Sequence, residues 1–342
     1  MAFMTRRKLA AHALATSVMV AAAPLSRVFA ADKIHVGILP LTSHAPSIIA
    51  QAKGYFAGQG LDVEFVSFQA AQPMAVAIAS GDVDFGVTAV TGGLISLAEK
   101  GVIKVIGGGL RETPGVEGQK IIVSKAAYDS GVTSPAKLKG RTFGITTTGS
   151  SFHYMAHKIA QKEGFADADL HMKPLQQVPV IIAALKSGQI DAWSIVPNIA
   201  DPLTKGPEVV EIGKIADYIP NYEVTTVFTS TANTTKHPDL VKRFLAAYAK
   251  GVDDYNAALV DKTMASQPTD AIVEMIHRYV YADMPPDKAD PRIRAGAMRI
   301  SPNARLNLAS IRDQLDWFKA EGMVPADASM EKLVDASFVK TD

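Results

Sequence analysis

An α/β pattern that occurs twice, at an offset of 107 residues, is the feature that most constrains how this chain can fold. Each copy reads as strand, helix, strand, helix, strand, over residues 33–87 and again over residues 141–195. Alternation of this kind is typical of a parallel sheet covered by helices. Six positions agree at the single offset, which favours internal similarity over chance. The matched pairs are Gly37 with Gly144, Ser43 with Ser150, Ser80 with Ser187, Gly81 with Gly188, Val83 with Ile190, and Asp84 with Asp191.

Two such units predict an α/β fold with two Rossmann-like lobes, each built on its own sheet. The apolar stretches at 121–123 and 226–228 lie between the units, and we predict that they are strands crossing between the lobes. Residues 237–342 are predicted to be mainly helical and to pack on lobe one, with a proline-rich turn at 285–291. The predicted bounds are residues 31–122 and 228–342 for lobe one and residues 123–227 for lobe two.

The first thirty residues have the layout of a secretory signal. Residues 6–8 form a basic head, a short apolar stretch follows, and Val28–Ala30 supplies small residues of the kind that a signal peptidase reads. The apolar stretch is shorter than the roughly 20 residues that a membrane-spanning helix needs. We therefore predict export with cleavage before Ala31. The paired arginines of the head leave both the general secretory route and the twin-arginine route open.

Composition narrows the class of protein further. The chain has no cysteine, which excludes a lipid attached through cysteine, disulfide bonds and thiol catalysis. Removing residues 1–30 takes away four positive charges and changes the formal net charge from +1 to −3. A slightly acidic chain lacks the basic surface that phosphate recognition needs, so nucleic acid is not an expected partner.

Polar loops follow the predicted strands at the edge where parallel α/β sheets bind ligands. They are rich in hydroxyl and amide groups and nearly free of charge. Residues 148–151 are the sharpest case, because free N–H groups at a helix start, with the helix dipole behind them, favour an anion. Ser150 or Ser151 is also expected to cap that helix. The six loops span residues 40–44, 68–72, 88–93, 146–151, 176–179 and 194–198.

Several other residues have both a functional and a structural interpretation. His44 either donates to a ligand or is an ordinary histidine on a surface loop. Trp193 lies inside a predicted strand, which favours core packing over a place in the cleft wall. Arg111 and Glu112 precede a Pro-Gly turn, so we interpret them as an exposed pair on a loop.

Signals of catalysis and metal binding are weak. His153 and His157 are four residues apart on a predicted helix, a spacing that can hold zinc, but the glutamate of a zinc-protease motif is missing. There is no G-x-S-x-G, P-loop or dinucleotide-binding fingerprint. We therefore expect no metal, no cofactor and no enzymatic activity.

Four segments of the chain carry a family resemblance: Gly54–Val63, Ala79–Gly86, Ala183–Ala192 and the closing Asp335–Val339. The chain resembles the extracytoplasmic solute-binding proteins of ABC importers for nitrate, taurine and alkanesulfonates, which are related to the NMT1/THI5-like proteins. The resemblance covers essentially the whole chain after residue 30. The segments are mainly turns and starts of buried strands, so they specify the family better than the ligand.

This resemblance implies a type II periplasmic binding protein, in which two lobes joined by crossing strands close around a ligand by a hinge motion. It implies a monomer in the periplasm that delivers its ligand to an inner-membrane ABC permease with a separate ATPase. It also implies that the ligand contacts lie in the loops described above. Carried over residue by residue, these contacts are Ser43, His44, Gln69, Thr88, Thr91, Thr148, Gly149, Ser150, Ser151 and Ser194.

The expected ligand is a small organic anion, a taurine-like sulfonate or a carboxylate, held by well-placed neutral donors. An aromatic carboxylate or a pyrimidine-like heterocycle is the alternative within the receptor class. A lyase on the same fold, with His44 or His153 as the base, is the competing enzymatic hypothesis. The heterocycle hypothesis relies on loop amides suited to ring edges, which are Gln69, Gln72, Gln176 and Gln177.

Overall fold

Two five-stranded β-sheets, each covered by helices, form the framework of residues 31–342. These residues are the part of the chain that this computed structural model describes. The predicted signal segment, residues 1–30, lies outside it. The strands are β1 (Asp32–Ile38), β2 (Leu61–Ser67), β3 (Phe85–Thr88), β4 (Ile103–Gly108), β5 (Lys120–Ser124), β6 (Thr142–Ile145), β7 (His171–Pro174), β8 (Ala192–Ile195), β9 (Val209–Lys214) and β10 (Thr226–Ser230).

Helices cover both sheets. Within residues 31–342, none of them combines the length and the apolar character that crossing a membrane requires. The α-helices are α1 (Ala45–Ala52), α2 (Ala71–Ser80), α3 (Gly92–Glu99), α4 (Lys125–Asp129), α5 (Ser151–Glu163), α6 (Val178–Lys186), α7 (Pro197–Thr204), α8 (Thr231–Lys236), α9 (Pro238–Tyr255), α10 (Ser266–His277), α11 (Pro286–Ala295), α12 (Leu308–Ala320) and α13 (Met330–Leu333).

The two sheets have the same topology. Sheet one runs β2-β1-β3-β10-β4, and sheet two runs β7-β6-β8-β5-β9. In each sheet the first three strands are parallel, and the fourth is antiparallel to both of its neighbours. These antiparallel strands, β10 and β5, contain the apolar stretches that the sequence places between its two units. The predicted α/β fold with two Rossmann-like sheets and crossing strands is confirmed.

The internal repeat is visible in side-chain hydrogen bonds as well as in strand order. The carboxylate of Asp84 accepts the backbone N–H of His35 at 2.8 Å. In sheet two, the carboxylate of Asp191 accepts the backbone N–H of Thr142, also at 2.8 Å. The offset of 107 residues relates both members of these pairs. Each aspartate therefore ties the backbone of one parallel strand, β1 or β6, to the entry of its neighbour, β3 or β8.

Aromatic side chains form the centre of the core around sheet one. Phe244 of α9 stacks on Phe85 of β3, with ring centroids 4.0 Å apart. Phe56 also stacks on Phe244, with ring centroids 5.3 Å apart. Helix α9 also packs along α1, as predicted for the C-terminal helices. Helix α9 ends at Tyr255, and a π-helical segment follows over residues 256–260.

Helix α11 occupies the place of the predicted proline-rich turn, and that prediction is wrong. Pro286 stands at the start of the helix, where a missing N–H removes no intrahelical hydrogen bond. Pro291 lies inside the helix and removes only one such bond. Helix α11 packs against α7, which borders sheet two. The C-terminal region therefore contacts both sheets, whereas the sequence predicts contact with lobe one.

Candidate ligand-binding site

A small cavity lies between the two sheets, beyond the carboxyl ends of β1, β3 and β8. The space open to the centre of a water-sized sphere is about 70 Å³. By the same measure a single water needs about 10–15 Å³. The cavity therefore accommodates a few heavy atoms, the size of an anionic head group or of a very small ligand. We call it the inner cavity.

The wall of the inner cavity is uncharged. Among the residues that the structure describes, none of those lining it is Lys, Arg, Asp or Glu. Its polar residues are Ser43, His44, Thr88, Gln119, Thr146, Ser150, Ser151 and Thr225. Its apolar residues are Leu39, Leu41, Ala70, Ala71, Ala89, Leu110, Phe152, Val178, Ile195, Val196 and Val224.

Helix α5 begins at the inner cavity, with Ser150 at its N-cap position. The expected cap is not formed by Ser150, whose Oγ is buried and has no hydrogen-bond partner. The backbone N–H of Tyr154 donates to the carbonyl oxygen of Ser150 at 3.1 Å. The first intrahelical hydrogen bond is therefore that of Tyr154, and the N–H groups of residues 151–153 have no partner within the helix. An unpartnered hydroxyl and a helix N-terminus meet at one wall, an arrangement that favours an anion.

His44 contributes a second unpartnered polar atom. The residue is only 2% exposed, so its interpretation as a surface histidine is wrong. Burial lowers the pKa of the imidazole to about 4, against the smaller opposing effects of the Val87 and Leu41 backbone, so the ring is neutral at pH 7. Its Nδ1 lies 3.2 Å from the hydroxyl of Ser43, and its Nε2 has no partner. With Ser43 donating to Nδ1, Nε2 carries the proton and is available as a donor.

Gln119 and Thr225 also line the inner cavity, and the sequence interpretation missed both. They directly precede β5 and β10, the strands predicted to cross between the lobes. The side-chain nitrogen of Gln119 is buried without a partner, whereas the hydroxyl of Thr225 accepts the N–H of Leu110 at 2.7 Å. Their position could have indicated them, because a strand that crosses between two lobes passes the cleft.

Half of the ten predicted contacts line the inner cavity, namely Ser43, His44, Thr88, Ser150 and Ser151. The other half lie elsewhere. The Thr91 hydroxyl accepts the N–H of Leu94 at 3.1 Å, which caps α3, and donates to Gln72 at 2.9 Å. Thr148 is exposed, and Gly149 is occupied by a backbone hydrogen bond with α3. Ser194 is buried within β8 and does not line the cavity.

Gln69, the remaining predicted contact, lines a larger chamber that adjoins the inner cavity. The two spaces share Leu39, Leu41 and Val178 in their walls. Measured in the same way, the second space is about 340 Å³. We call it the outer chamber. Its lining residues are Leu39, Pro40, Leu41, Gln69, Val178, Pro179, Ile182, Asn198, Ile199, Pro202, Leu203, Tyr281 and Arg292.

Comparison with known proteins assigns the family. The family model described as "NMT1/THI5 like" matches residues 41–258. The chain belongs to the NMT1/THI5-like family. The resemblance predicted from the sequence is thereby confirmed at the level of the family.

Individual relatives of this NMT1/THI5-like protein are more distant. A protein of Bacillus subtilis (strain 168), provisionally named an aliphatic sulfonates-binding protein, is 27% identical over 227 residues, which is 64% of this chain and 64% of that protein. The aliphatic sulphonate binding protein SsuA of Escherichia coli has a TM-score of 0.67 at 18% identity, covering 89% of this chain and 92% of that one. The desulfurization enzyme DSZB has a TM-score of 0.58 at 14% identity, covering 90% and 97%. The fold therefore occurs in both binding proteins and an enzyme.

The remaining polar residues of this NMT1/THI5-like chain serve the fold. Trp193 is fully buried, as predicted, with its ring 5.5 Å from that of Phe152. The prediction of an exposed Arg111–Glu112 pair is wrong, because Glu112 is 1% exposed and its Oε1 accepts the N–H of Gln119 at 2.9 Å. Arg111 pairs instead with Asp342 at 2.6 Å.

The two histidines with zinc-like spacing have different partners. Nδ1 of His153 accepts the N–H of Gly149 at 3.2 Å, while Nδ1 of His157 lies 2.6 Å from the carboxylate of Asp167. A carboxylate oxygen of Glu321 lies within 4.8 Å of the ligand atoms of His157 and Asp167. The spacing of four residues therefore does not bring His153 and His157 to a common centre.

Proposed function

We propose that this protein is the solute receptor of an ABC importer, that it is exported to the periplasm, and that it is not an enzyme. In this proposal a small organic anion, a sulfonate or a carboxylate, binds between the two sheets. The observation that carries the proposal is the buried, unpartnered hydroxyl of Ser150 at the start of α5. A related protein of Bacillus subtilis named for aliphatic sulfonates supports this choice of ligand.

Neutral donors suffice for an oxyanion when they converge on it. The Ser150 hydroxyl, the Nε2–H of His44 and the amide of Gln119 all belong to residues lining the inner cavity, and none has a partner in the protein. Leaving a buried polar group unpaired costs about 1–3 kcal/mol. A ligand that pairs all three therefore recovers several such penalties at once. The absence of carboxylates from the described cavity wall removes the repulsion that an anion would otherwise meet.

A receptor role fits the chemistry of this wall better than a catalytic one. An imidazole with a pKa near 4 is a weak base at pH 7, where general-base catalysis works best with a pKa near the operating pH. Tight binding of the unreacted ligand is useful to a receptor, but it does not accelerate a chemical reaction. The amides proposed for a heterocycle also fail to converge, since none of the four lines the inner cavity.

We further propose that ligand binding is coupled to closure of two lobes, residues 31–122 with 228–342 and residues 123–227. The closed receptor, a monomer, would then dock on an inner-membrane permease that has its own ATPase. Gln119 and Thr225 lie within four residues of the two proposed lobe boundaries and line the inner cavity, so the cavity wall includes residues next to the proposed hinge. Bound ligand should therefore lower the radius of gyration in solution scattering.

Isothermal titration of the purified protein with ethanesulfonate, taurine, acetate, benzoate, nitrate and uracil tests the ligand class. The substitution Ser150→Ala removes one donor to a charged group, and we expect about a tenfold weaker affinity for the anion that binds. Ser47→Ala is the matched control, because Ser47 Oγ is also buried without a partner but does not line the cavity.

Three outcomes would contradict the proposal. Binding of uracil without binding of any anion would replace the anion by a heterocycle. Equal losses in Ser150→Ala and Ser47→Ala would show that the effect is not local to the cavity. Chemical conversion of the bound anion, detected by mass spectrometry of the titration mixture, would make the protein an enzyme.

A further inference from the structure

The outer chamber extends the binding site beyond what a small anion needs. It is several times larger than the inner cavity, about 340 Å³ against about 70 Å³. The two spaces meet at Leu39, Leu41 and Val178, which line both. These three side chains stand between the two spaces, so a ligand whose head lies at Ser150 in the inner cavity reaches the outer chamber when they move aside.

The walls of the outer chamber are apolar on the side of sheet two. Helices α6 and α7 contribute Ile182, Ile199 and Leu203, among others, and the ring of Tyr281 adds an aromatic surface. Apolar ligand atoms gain free energy when they leave water for such a surface. The chamber therefore suits a hydrocarbon chain or a ring as the body of the ligand.

Arg292 is the one charged side chain among the described residues that line the outer chamber. It lies on α11, is partly buried, and has its guanidinium 5.8 Å from the centre of the Tyr281 ring. No carboxylate within residues 31–342 lies within 4.0 Å of its nitrogens. Asp201 of α7, which borders the neighbouring surface groove together with Arg292, pairs instead with Lys120 at 2.7 Å. Among the described residues, Arg292 therefore has an aromatic neighbour but no carboxylate partner, and it lies beside an apolar chamber.

A guanidinium presents parallel N–H donors that match the two oxygens of a carboxylate or a sulfonate. Its neighbour on α11, Arg294, is already paired with Asp270 at 2.5 Å and borders a different groove. The two arginines of α11 thus differ in two respects: Arg292 lines the outer chamber and has no carboxylate partner among the described residues, whereas Arg294 does not line it and is paired. This difference makes Arg294 a matched control for Arg292.

We propose that the ligand is an elongated organic dianion. Its first anionic group occupies the inner cavity at Ser150, its apolar body fills the outer chamber, and its second anionic group pairs with Arg292. This inference rests on the proposed receptor function and names the substrate class of the same site. It assigns Arg292 as the residue that selects dianions over monoanions.

Matched pairs of ligands test this inference by titration calorimetry. Heptanoate and heptanedioate have the same carbon chain and differ in the second carboxylate, and hexane-1-sulfonate and hexane-1,6-disulfonate differ likewise. In the unmodified protein we expect the dianion of the preferred pair to bind about tenfold more tightly than the monoanion. In Arg292→Gln the ratio should fall to about twofold, the statistical advantage of two equivalent ends. Arg294→Gln should keep the ratio of the unmodified protein.

The outcomes separate this inference from the proposed function. If both monoanions bind and neither dianion binds more tightly, the dianion inference is wrong and the anion receptor stands. The inference is also wrong if Arg292→Gln and Arg294→Gln reduce the ratio equally. If none of the four compounds binds, and the short anions do not bind either, the receptor proposal itself fails.

Discussion

The backbone N–H of Gly92 donates a 3.0 Å hydrogen bond to the carbonyl oxygen of Gly149. Gly92 begins α3 beside sheet one, and Gly149 lies in the loop before α5 beside sheet two. Elsewhere the hydroxyl of Tyr281, in the C-terminal region, donates to the carbonyl oxygen of Asn198 in α7 at 2.6 Å. These two hydrogen bonds are among those that link elements beside the two sheets. We expect both links to break in the proposed separation of the two lobes.

A glycine permits the second of these contacts. A Cβ atom at Gly296, just after α11, would lie 2.2 Å from the backbone nitrogen and 2.3 Å from the Cα of Asn198. Backbone atoms in a helix cannot retract as a flexible side chain does, so Gly296→Ala should push α7 away from α11. We expect a larger radius of gyration in solution scattering and a loss of about 1–3 kcal/mol of stability.

Gly58→Ala is the control for this substitution. A Cβ atom at Gly58 would have no neighbour within 4 Å, and the residue has an ordinary negative φ. The control should keep the radius of gyration and the unfolding midpoint of the unmodified protein. An unchanged radius of gyration in Gly296→Ala would mean that the contact between α7 and α11 does not hold the two sheets together.

His44 predicts a loss of stability in acid. Its folded pKa of about 4 lies below the ordinary value of 6.5, so the unfolded chain takes up a proton first as the pH falls. The contribution of neutral His44 is complete above pH 6.5 and is lost between pH 6.5 and 4, by about 3 kcal/mol. His44→Gln removes this titration. Urea unfolding should therefore show the variant gaining stability relative to the unmodified protein from pH 7 to pH 4.5.

The exposed His171 supplies the comparison, since His171→Gln removes an imidazole from the surface. The stability of this control relative to the unmodified protein should vary much less over the same interval. A constant difference between His44→Gln and the unmodified protein from pH 7 to pH 4.5 would contradict the neutral, buried state of His44.

Local patterns allowed much of the fold to be predicted. Residues that mark the repeat, such as Gly81 and Gly188, end the helices before them through the local backbone conformation. Such local effects can be predicted from the sequence. The sequence relates Asp84 and Asp191 by position alone, whereas their shared role, accepting the N–H of a neighbouring strand, depends on strand pairing that no local pattern specifies. A cluster of prolines predicts a turn, but α11 forms there because Pro286 lies at the helix start, where proline is favourable.

The site was predictable only in part, because it depends on how the two sheets meet. Thr91 and Ser194 belong to loops and strand ends of the expected kind, but their hydroxyl groups do not line the cavity. The sequence also predicts that the helix starts at Ser150 or Ser151 and that one of their hydroxyl groups caps it; the start is confirmed, but the structure shows no side-chain cap. Tertiary packing decides which polar groups remain unpartnered, and no local pattern encodes it.

Glu112 provides the opposite pH dependence from His44 and lies in the segment that joins β4 to β5. Its backbone N–H donates to the carbonyl oxygen of Tyr222 at 2.9 Å, in the segment that returns to β10. Burial raises the pKa of its carboxyl to about 7, against the opposing effect of the backbone N–H of Gln119, which donates to Oε1. One oxygen, Oε2, is buried without a partner.

Glu112→Gln should therefore stabilise the protein at high pH. The unfolded carboxyl releases its proton near pH 4.5 and the folded one near pH 7, so the contribution of Glu112 to stability falls by about 3 kcal/mol between these values. A glutamine keeps the oxygen that accepts the N–H of Gln119 and does not ionise. In urea unfolding, the stability of Glu112→Gln relative to the unmodified protein should rise from pH 5 to pH 8. Glu274→Gln, at a glutamate whose side chain is 70% exposed, should show a much smaller change. Parallel pH profiles for the unmodified protein and Glu112→Gln would show instead that Glu112 is ionised in the folded state across this range, and would place a stabilising cation or solvent beside it.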